Sequence, residues 1–344
     1  MKTIELTKLR TLALVDRPMP TITAPGEVLL KVACIGICGS DVHYYTTGRI
    51  GSQIVQYPFT VGHELSATVV KTGPAVLYLP PGTRVAIDPA TPCFTCDQCL
   101  KNRENTCRNL KFLGCPGQSP GCLCEYIVMP ASSVFPIPNN VTLEQAMLSE
   151  PLSIGYYALK QSQPRPDSSI AVLGSGPIGL SSIASAKYLG LTEIYATDKI
   201  QSRLAAALKA GAIYASSPEN RDIVSDILKL QPAGMDAVFE CAGQQETVDQ
   251  AIELLKPGGK LMLVGIPEFD RLSFAIDKAR RKELTIINIR RQNHCVKPAI
   301  DMFASKAINL DFMLTHHFPI EKTQEAFELV AAYADGVIKA IIDM

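Results

Sequence analysis

The stretch from Ser169 to Asp198 is compatible with very few folds. An apolar run, Ile170-Ala171-Val172-Leu173, leads into Gly174-Ser175-Gly176-Pro177-Ile178-Gly179. Small residues at helical spacing then continue through Lys187, and a second strand, Glu193 to Thr197, ends at an acid, Asp198. This order predicts strand, tight turn, helix, strand. In such a unit Gly174 permits the sharp turn, Gly176 lets backbone approach a pyrophosphate, and Gly179 lets the helix pack on the strand. Pro177, which has no N–H of its own, opens the helix, and the N–H groups from Ile178 onward are offered to phosphates. Asp198, nineteen positions after Gly179, stands where a carboxylate accepts from an adenosine ribose and repels a 2′-phosphate. Arg203, one helical turn on, can reach the adenine face or a phosphate. A glycine turn without a ligand is the alternative. The flanking strands, the helix and the spaced acid together argue for a dinucleotide site, for NAD before NADP.

The alternation continues. Ile213 to Ala215, Ala237 to Glu240 and Leu261 to Gly265 read as strands, separated by helical patterns such as Arg221 to Leu230 and Glu246 to Leu255. That is the signature of a doubly wound parallel sheet. Ligands in such sheets sit beyond the carboxyl ends of strands, so Cys241, Val264, Gly265 and Ile266 join the candidate cofactor contacts. The run Lys278 to Lys282 reads as a solvated helix face. With 344 residues, 47% of them hydrophobic, the chain has material for two domains. Lys+Arg and Asp+Glu balance at 33 each, which leaves no electrostatic footprint for nucleic acid or an anionic membrane. No apolar run approaches the ~18 residues of a membrane span. The expected partner is therefore a small molecule and the expected location cytoplasmic.

Residues 1 to about 90 read as all-β, with β-branched runs at Val28 to Val32, Ser66 to Lys71 and Arg84 to Asp88 broken by Pro25-Gly26, Gly73-Pro74 and Pro80-Pro81-Gly82. Within them lie Cys38-Gly39-Ser40-Asp41-Val42-His43-Tyr44 and Gly62-His63-Glu64. Thiolate, imidazole and carboxylate are the groups zinc takes, with water in the last position when the site is catalytic. Either motif alone is more simply a core residue. Cys93, Cys96, Cys99 and Cys107 are a stronger signal, C-x2-C-x2-C-x7-C in a polar loop with almost nothing apolar to hold it. Four thiolates around one zinc would supply the missing core and leave no open position, so that site is structural. The other cysteines lack such spacing and read as ordinary thiols.

Val141 to Lys160 has a helical period, and Glu150 stands in it just before Pro151. It is either a helix-end carboxylate or an acid held at a metal. The last ~50 residues, ending in an apolar strand from Val337 to Ile342, leave the alternating pattern and are expected to return to the first domain.

Taken in order, Cys38 to Tyr44, Gly48-Arg49-Ile50-Gly51, Gly62-His63-Glu64, the four-cysteine loop, Glu150-Pro151-Leu152-Ser153, Gly174 to Gly179 and Arg291 resemble the zinc-containing medium-chain dehydrogenases, and within them the polyol (sorbitol and xylitol) branch. The resemblance spans essentially the whole chain. It implies an α/β protein with a GroES-like β-barrel catalytic domain, residues 1–152 and 293–344, and a Rossmann domain, residues 153–292, with the active site in the cleft between them. It implies two zincs. Cys38, His63 and Glu64 correspond to ligands of the catalytic one, and Glu150 binds it directly or through water. Asp41 corresponds to the acid that orients the zinc-bound imidazole. Ser40 corresponds to the hydroxyl that takes the substrate proton, and His43 to the outer member of that relay. Arg291 corresponds to the substrate-binding arginine, and Tyr44, Glu150 and Gln292 offer this chain's further hydrogen-bonding groups for a polyol, with Phe112 as an apolar wall. The implied reaction is NAD-dependent oxidation of a secondary hydroxyl of a polyol to a ketose, by alkoxide formation at zinc and hydride transfer.

Polyol dehydrogenases tend to place Tyr after the substrate-binding Arg, whereas Gln292 and Asn293 follow Arg291 here. A cyclic polyol, a sugar acid or an aminoalcohol such as threonine therefore stays open as substrate. From a different class, a non-catalytic zinc- and nucleotide-binding paralogue is the alternative; intact metal and phosphate motifs argue against it. Relatives suggest a homotetramer or dimer, with Thr285 to Ile289 as a shared edge strand.

Overall fold

The computed structural model describes the whole chain except Asn220 and Glu268. It divides into two compact units, one made of Met1–Glu150, Val296–Lys306 and Leu314–Met344, the other of Pro151–Cys295 and Ala307–Met313.

The first unit is built on a seven-stranded sheet. Its order is Val134–Pro136, Arg84–Ile87, Glu64–Thr72, Glu27–Gly36, Lys339–Asp343 and Leu314–Pro319, with Tyr126–Pro130 also paired to Glu27–Gly36. Glu27–Gly36 is almost entirely buried and pairs antiparallel with three neighbours. Its Val28, Leu30, Val32 and Ile35 meet Leu65, Ala67, Val69, Val85, Phe327 and Ile342 in one core. The last strand of the chain thus lies in the first unit, whereas Ala307–Met313 group with the second.

The all-β expectation for the first 90 residues fails at Gly39–Thr47, which is a helix. Cys38 is its N-cap in extended conformation, and the Asp41 carboxylate accepts the Cys38 N–H at 3.1 Å, a reciprocal cap the β-rich surroundings concealed. Gly48, at φ 72°, ends the helix with its N–H on the Tyr44 carbonyl.

The second unit holds a six-stranded parallel sheet in the order Tyr214–Ser216, Glu193–Thr197, Ser169–Leu173, Met235–Glu240, Leu255–Leu263, Thr285–Asn288. In chain order that is 3-2-1-4-5-6, the doubly wound arrangement. Thr285–Asn288 is an edge strand. Lys282 departs from the solvated reading: its Nζ donates to the carbonyls of Ile252, Glu253 and Leu255 at 2.7–2.9 Å. The other basic residues of that run, Lys278, Arg280 and Arg281, are in exposed ion pairs. Among the described residues, no helix is long and apolar enough to cross a membrane.

Candidate active site and metal centres

The cap of the Gly39–Thr47 helix also organises a metal-ligand set. Asp41, 1% exposed, accepts from Cys38 N through Oδ2 and from Gly62 N through Oδ1 at 3.0 Å, and Oδ1 lies 3.4 Å from His63 Nδ1. One carboxylate therefore ties together two motifs that are distant in sequence and faces one nitrogen of the His63 imidazole, leaving Nε2 for another partner. Donor atoms of Cys38, His63 and Glu64 lie within 4.8 Å of one another. Burial alone would lower the pKa of His63, but Asp41 and the Cys38 sulfur overcome it and raise the imidazole well above its usual value. Thiolate, imidazole and carboxylate are the donors zinc takes, and here they lie close enough to share one ion, so the set fits zinc.

Glu64 is held by a residue that sequence reasoning did not single out. Lys339 Nζ donates to its two carboxylate oxygens at 2.8 and 2.6 Å and to the Ile37 carbonyl at 3.2 Å, and both side chains are 1% exposed. Gly36 gives this carboxylate its room: a Cβ there would lie 2.4 Å from Glu64 Oε2. The available signal was a lysine inside an otherwise apolar strand. Glu150 is buried as well and feels the charges of His63, Glu64 and Lys339. Burial pushes it up to about 7, Glu64 adds to the rise, and His63 and Lys339 oppose it. The helix-end alternative for Glu150 does not hold, because the Leu143–Ser162 helix continues through Pro151.

The four-cysteine loop is folded around its sulfurs. Cys96 lies 3.6 Å from Cys99 and 3.9 Å from Cys107, and Cys107 lies 3.4 Å from Cys93. Tetrahedral zinc with bonds of about 2.3 Å separates its sulfurs by roughly 3.8 Å, so this set fits one ion with no ligand to add. The Thr95 N–H, then its hydroxyl, pull the Cys93 thiol down to about 5. Among the described residues no disulfide is formed. Burial pushes Cys34 and Cys124 up to about 12, in keeping with inert thiols.

In the second unit the glycine turn has the expected form. Gly174 has φ 96°, and a Cβ at Gly179 would lie 1.9 Å from the Gly174 carbonyl oxygen, so only glycine lets the Pro177–Tyr188 helix sit this close. Gly176 faces open space apart from Arg203, whose Nη1 would be 3.6 Å from a Cβ there. Asp198 accepts from Ser175 N and Ile200 N, both at 2.8 Å, and lies 4.0 Å from Arg203 Nη1. Cys241 follows the Met235–Glu240 strand, and Val264, Gly265 and Ile266 follow Leu255–Leu263.

The remaining candidates are placed as follows. Ser40 and His43 lie three apart on the Gly39–Thr47 helix, hence on one side of it. Tyr44 donates to Gln53 Oε1 at 3.0 Å. The Phe112 ring is tilted against His63 with centroids 5.3 Å apart. Arg291 has a left-handed backbone at φ 54°. Gln292 is buried and its Oε1 accepts from Cys295 N at 2.8 Å, so that oxygen is engaged in its own turn.

A β unit with two zinc-type ligand sets and a separate doubly wound nucleotide fold define a zinc-binding alcohol dehydrogenase. Known proteins agree. Residues 24–139 match the alcohol dehydrogenase GroES-like domain, and residues 177–305 match the zinc-binding dehydrogenase family. Sorbitol dehydrogenase of Bacillus subtilis is 34% identical over 99% of this chain and 97% of its own. The Gallus gallus sorbitol dehydrogenase is 39% identical over 92% and 89%. Galactitol-1-phosphate dehydrogenase from Escherichia coli superposes with a TM-score of 0.92 at 28% identity, over 100% of both chains. The chain belongs to the zinc-containing medium-chain dehydrogenases, in their polyol branch, and is an enzyme.

Proposed function

We propose that this enzyme oxidises a secondary hydroxyl of a sugar alcohol or closely related polyhydroxy compound to the ketone, with NAD as acceptor. The observation that carries the reading is the Cys38, His63 and Glu64 set gathered within 4.8 Å, with Asp41 behind His63. We assign these three residues to a catalytic zinc, with Glu150 beside it, and Cys93, Cys96, Cys99 and Cys107 to a structural zinc. When bound, zinc lowers the pKa of a hydroxyl and nicotinamide accepts hydride. The chain's own part is to orient and to move the proton. Asp41 keeps the His63 ring in one tautomer and orientation, Ser40 accepts the proton of the substrate hydroxyl, and His43 passes it outward. Phe112 forms an apolar wall at His63. Tyr44, Glu150, Arg291 and Gln292 are assigned to the substrate's further hydroxyls, Gln292 through its amide nitrogen.

The preference for NAD rests on Asp198. Its buried carboxylate at the end of the Glu193–Thr197 strand repels a 2′-phosphate, while Arg203, 4.0 Å away, tempers the effect. The Thr285–Asn288 edge is assigned to pairing between copies in a homo-oligomer, and the location to the cytoplasm.

The test is a panel of polyols, cyclic polyols, sugar acids, threonine and ethanol, each with NAD and NADP, followed by absorbance of the reduced cofactor. A polyol should exceed ethanol in kcat/KM by on the order of 1000-fold, since a pocket of hydrogen-bonding groups rejects a substrate that leaves them unpaired. NAD should exceed NADP by about thirtyfold, ~2 kcal/mol. Arg291→Ala should lower kcat/KM for the polyol by about 10- to 1000-fold. Ethanol turnover equal to that of the best polyol would defeat this reading, and threonine at the head of the panel would replace it.

A further inference from the structure

The order of the parallel sheet divides the dinucleotide between strands. Ser169–Leu173 is central, Glu193–Thr197 lies to one side, and Met235–Glu240 and Leu255–Leu263 lie to the other. The glycine turn and Asp198 occupy the carboxyl ends of the first pair, which accounts for the pyrophosphate and the adenosine ribose. The nicotinamide half must then run across the ends of the second pair, over Cys241–Gly243 and Val264–Ile266. Neither segment is regular secondary structure, so something else has to hold them still.

Glu240, the last residue of its strand and 2% exposed, joins both. Its carboxylate Oε1 accepts the N–H of Ala242 at 2.8 Å, the N–H of Gly243 at 2.7 Å and the hydroxyl of Thr247 at 2.8 Å. Its backbone carbonyl accepts the N–H of Val264 at 2.9 Å and of Gly265 at 2.8 Å. The two loops are in close contact around it. A Cβ at Gly265 would lie 2.4 Å from Gly243 N and 2.8 Å from Glu240 Oε2, and one at Gly243 would lie 2.5 Å from the Ile266 carbonyl oxygen. The first loop also abuts the glycine turn, where a Cβ at Gly174 would lie 2.8 Å from Ala242 N. A buried carboxylate is costly unless its oxygens are hydrogen-bonded. The Ala242, Gly243 and Thr247 donors offset part of that cost and in doing so set where the Cys241–Gly243 loop lies, against which the Val264–Ile266 loop packs.

We propose that Glu240 is a positioning residue for the nicotinamide half of the cofactor, acting through the Cys241–Gly243 and Val264–Ile266 loops; this rests on the dehydrogenase reading above. Residues that orient the reactive end of a cofactor affect turnover as well as binding. A group that merely supported the sheet would affect both halves of the cofactor alike.

The experiment compares NADH, followed by fluorescence titration, with ADP-ribose, followed by calorimetry, on wild type, Glu240→Ala, Glu240→Gln and Thr247→Val. Glu240→Ala should weaken NADH at least tenfold, lower kcat and raise the KM for NAD, while ADP-ribose affinity stays within twofold. Glu240→Gln and Thr247→Val should move in the same direction by less, and they carry the test if the alanine variant does not fold. Equal losses for NADH and ADP-ribose, or no loss for either, would overturn the proposal. Wild type that binds neither ligand would instead overturn the cofactor reading on which it rests.

Discussion

At the scale of single residues, the first unit turns on a buried lysine. Lys339 and Glu64 are both sealed from solvent, and an ion pair so placed loses far more when one partner is removed than when both are neutralised together. Lys339→Met should therefore lower the unfolding free energy by about 3–5 kcal/mol, and Glu64→Gln added to it should recover part of that loss. Urea unfolding of the four proteins in the cycle measures this. A Lys339→Met enzyme as stable as wild type would mean that Glu64 is balanced by another group. Legibility from sequence follows the same distinction. The four cysteines could be read because their partners are fourteen residues away or fewer, and spacing alone carries the geometry. Lys339 could not, because its partner is 275 residues distant and nothing local reports a long-range ion pair.

At the scale of elements, the four-cysteine loop and the capped helix differ in what supports them. The Cys93–Cys107 segment has only two three-residue 3-10 turns and little apolar burial beyond its own sulfurs. The Gly39–Thr47 helix is capped at both ends and buries Asp41, Tyr44 and Tyr45. Cys99→Ser should accordingly remove one zinc and lower the unfolding temperature by about 5 °C or more. Cys38→Ser should remove the other zinc and the activity with it, at much smaller cost in stability. Metal analysis with thermal unfolding separates the two, and a chelator should extract the Cys38 site first because it is the one with an open position. In the second unit the βα alternation was legible because strands such as Ser169–Leu173 and Met235–Glu240 contain continuous apolar runs set between glycine turns and helical stretches. Periodicity missed the Gly39–Thr47 helix, whose nine residues mix Gly, Ser, Asp and Thr and follow a β-branched run; only the cap, Cys38 with Asp41 three residues on, marks it.

At the scale of the molecule, the second unit carries an acid-sensitive tie across its sheet. Asp236 accepts from Ser169 N at 3.0 Å and pairs with Lys256 at 2.5 Å, joining the starts of three adjacent strands. Burial alone would raise its pKa, but Lys256 and Ser169 outweigh burial and hold it below the usual 3.8. A depressed carboxylate stabilises above its unfolded pKa, and that stability is lost as pH falls through the folded value. Asp236→Asn should therefore cost about 1 kcal/mol at neutral pH, and the gap from wild type should close below the usual carboxylate pKa. Unfolding midpoints across an acid series test it; a gap that stays constant would assign the effect to packing.

The return of the Lys339–Asp343 strand beside Glu27–Gly36 also sets an order of events when the chain is made. Glu64 leaves the ribosome 275 residues ahead of Lys339, and Cys38 and His63 earlier still, an interval for Glu64 of roughly 15 to 55 s at about 5–20 residues per second. All of Pro151–Cys295 is synthesised within it. The nucleotide unit can thus be finished while the metal unit still lacks a central strand, and the nascent Glu64 carboxylate waits without its lysine. The part of the protein begun first is the part completed last.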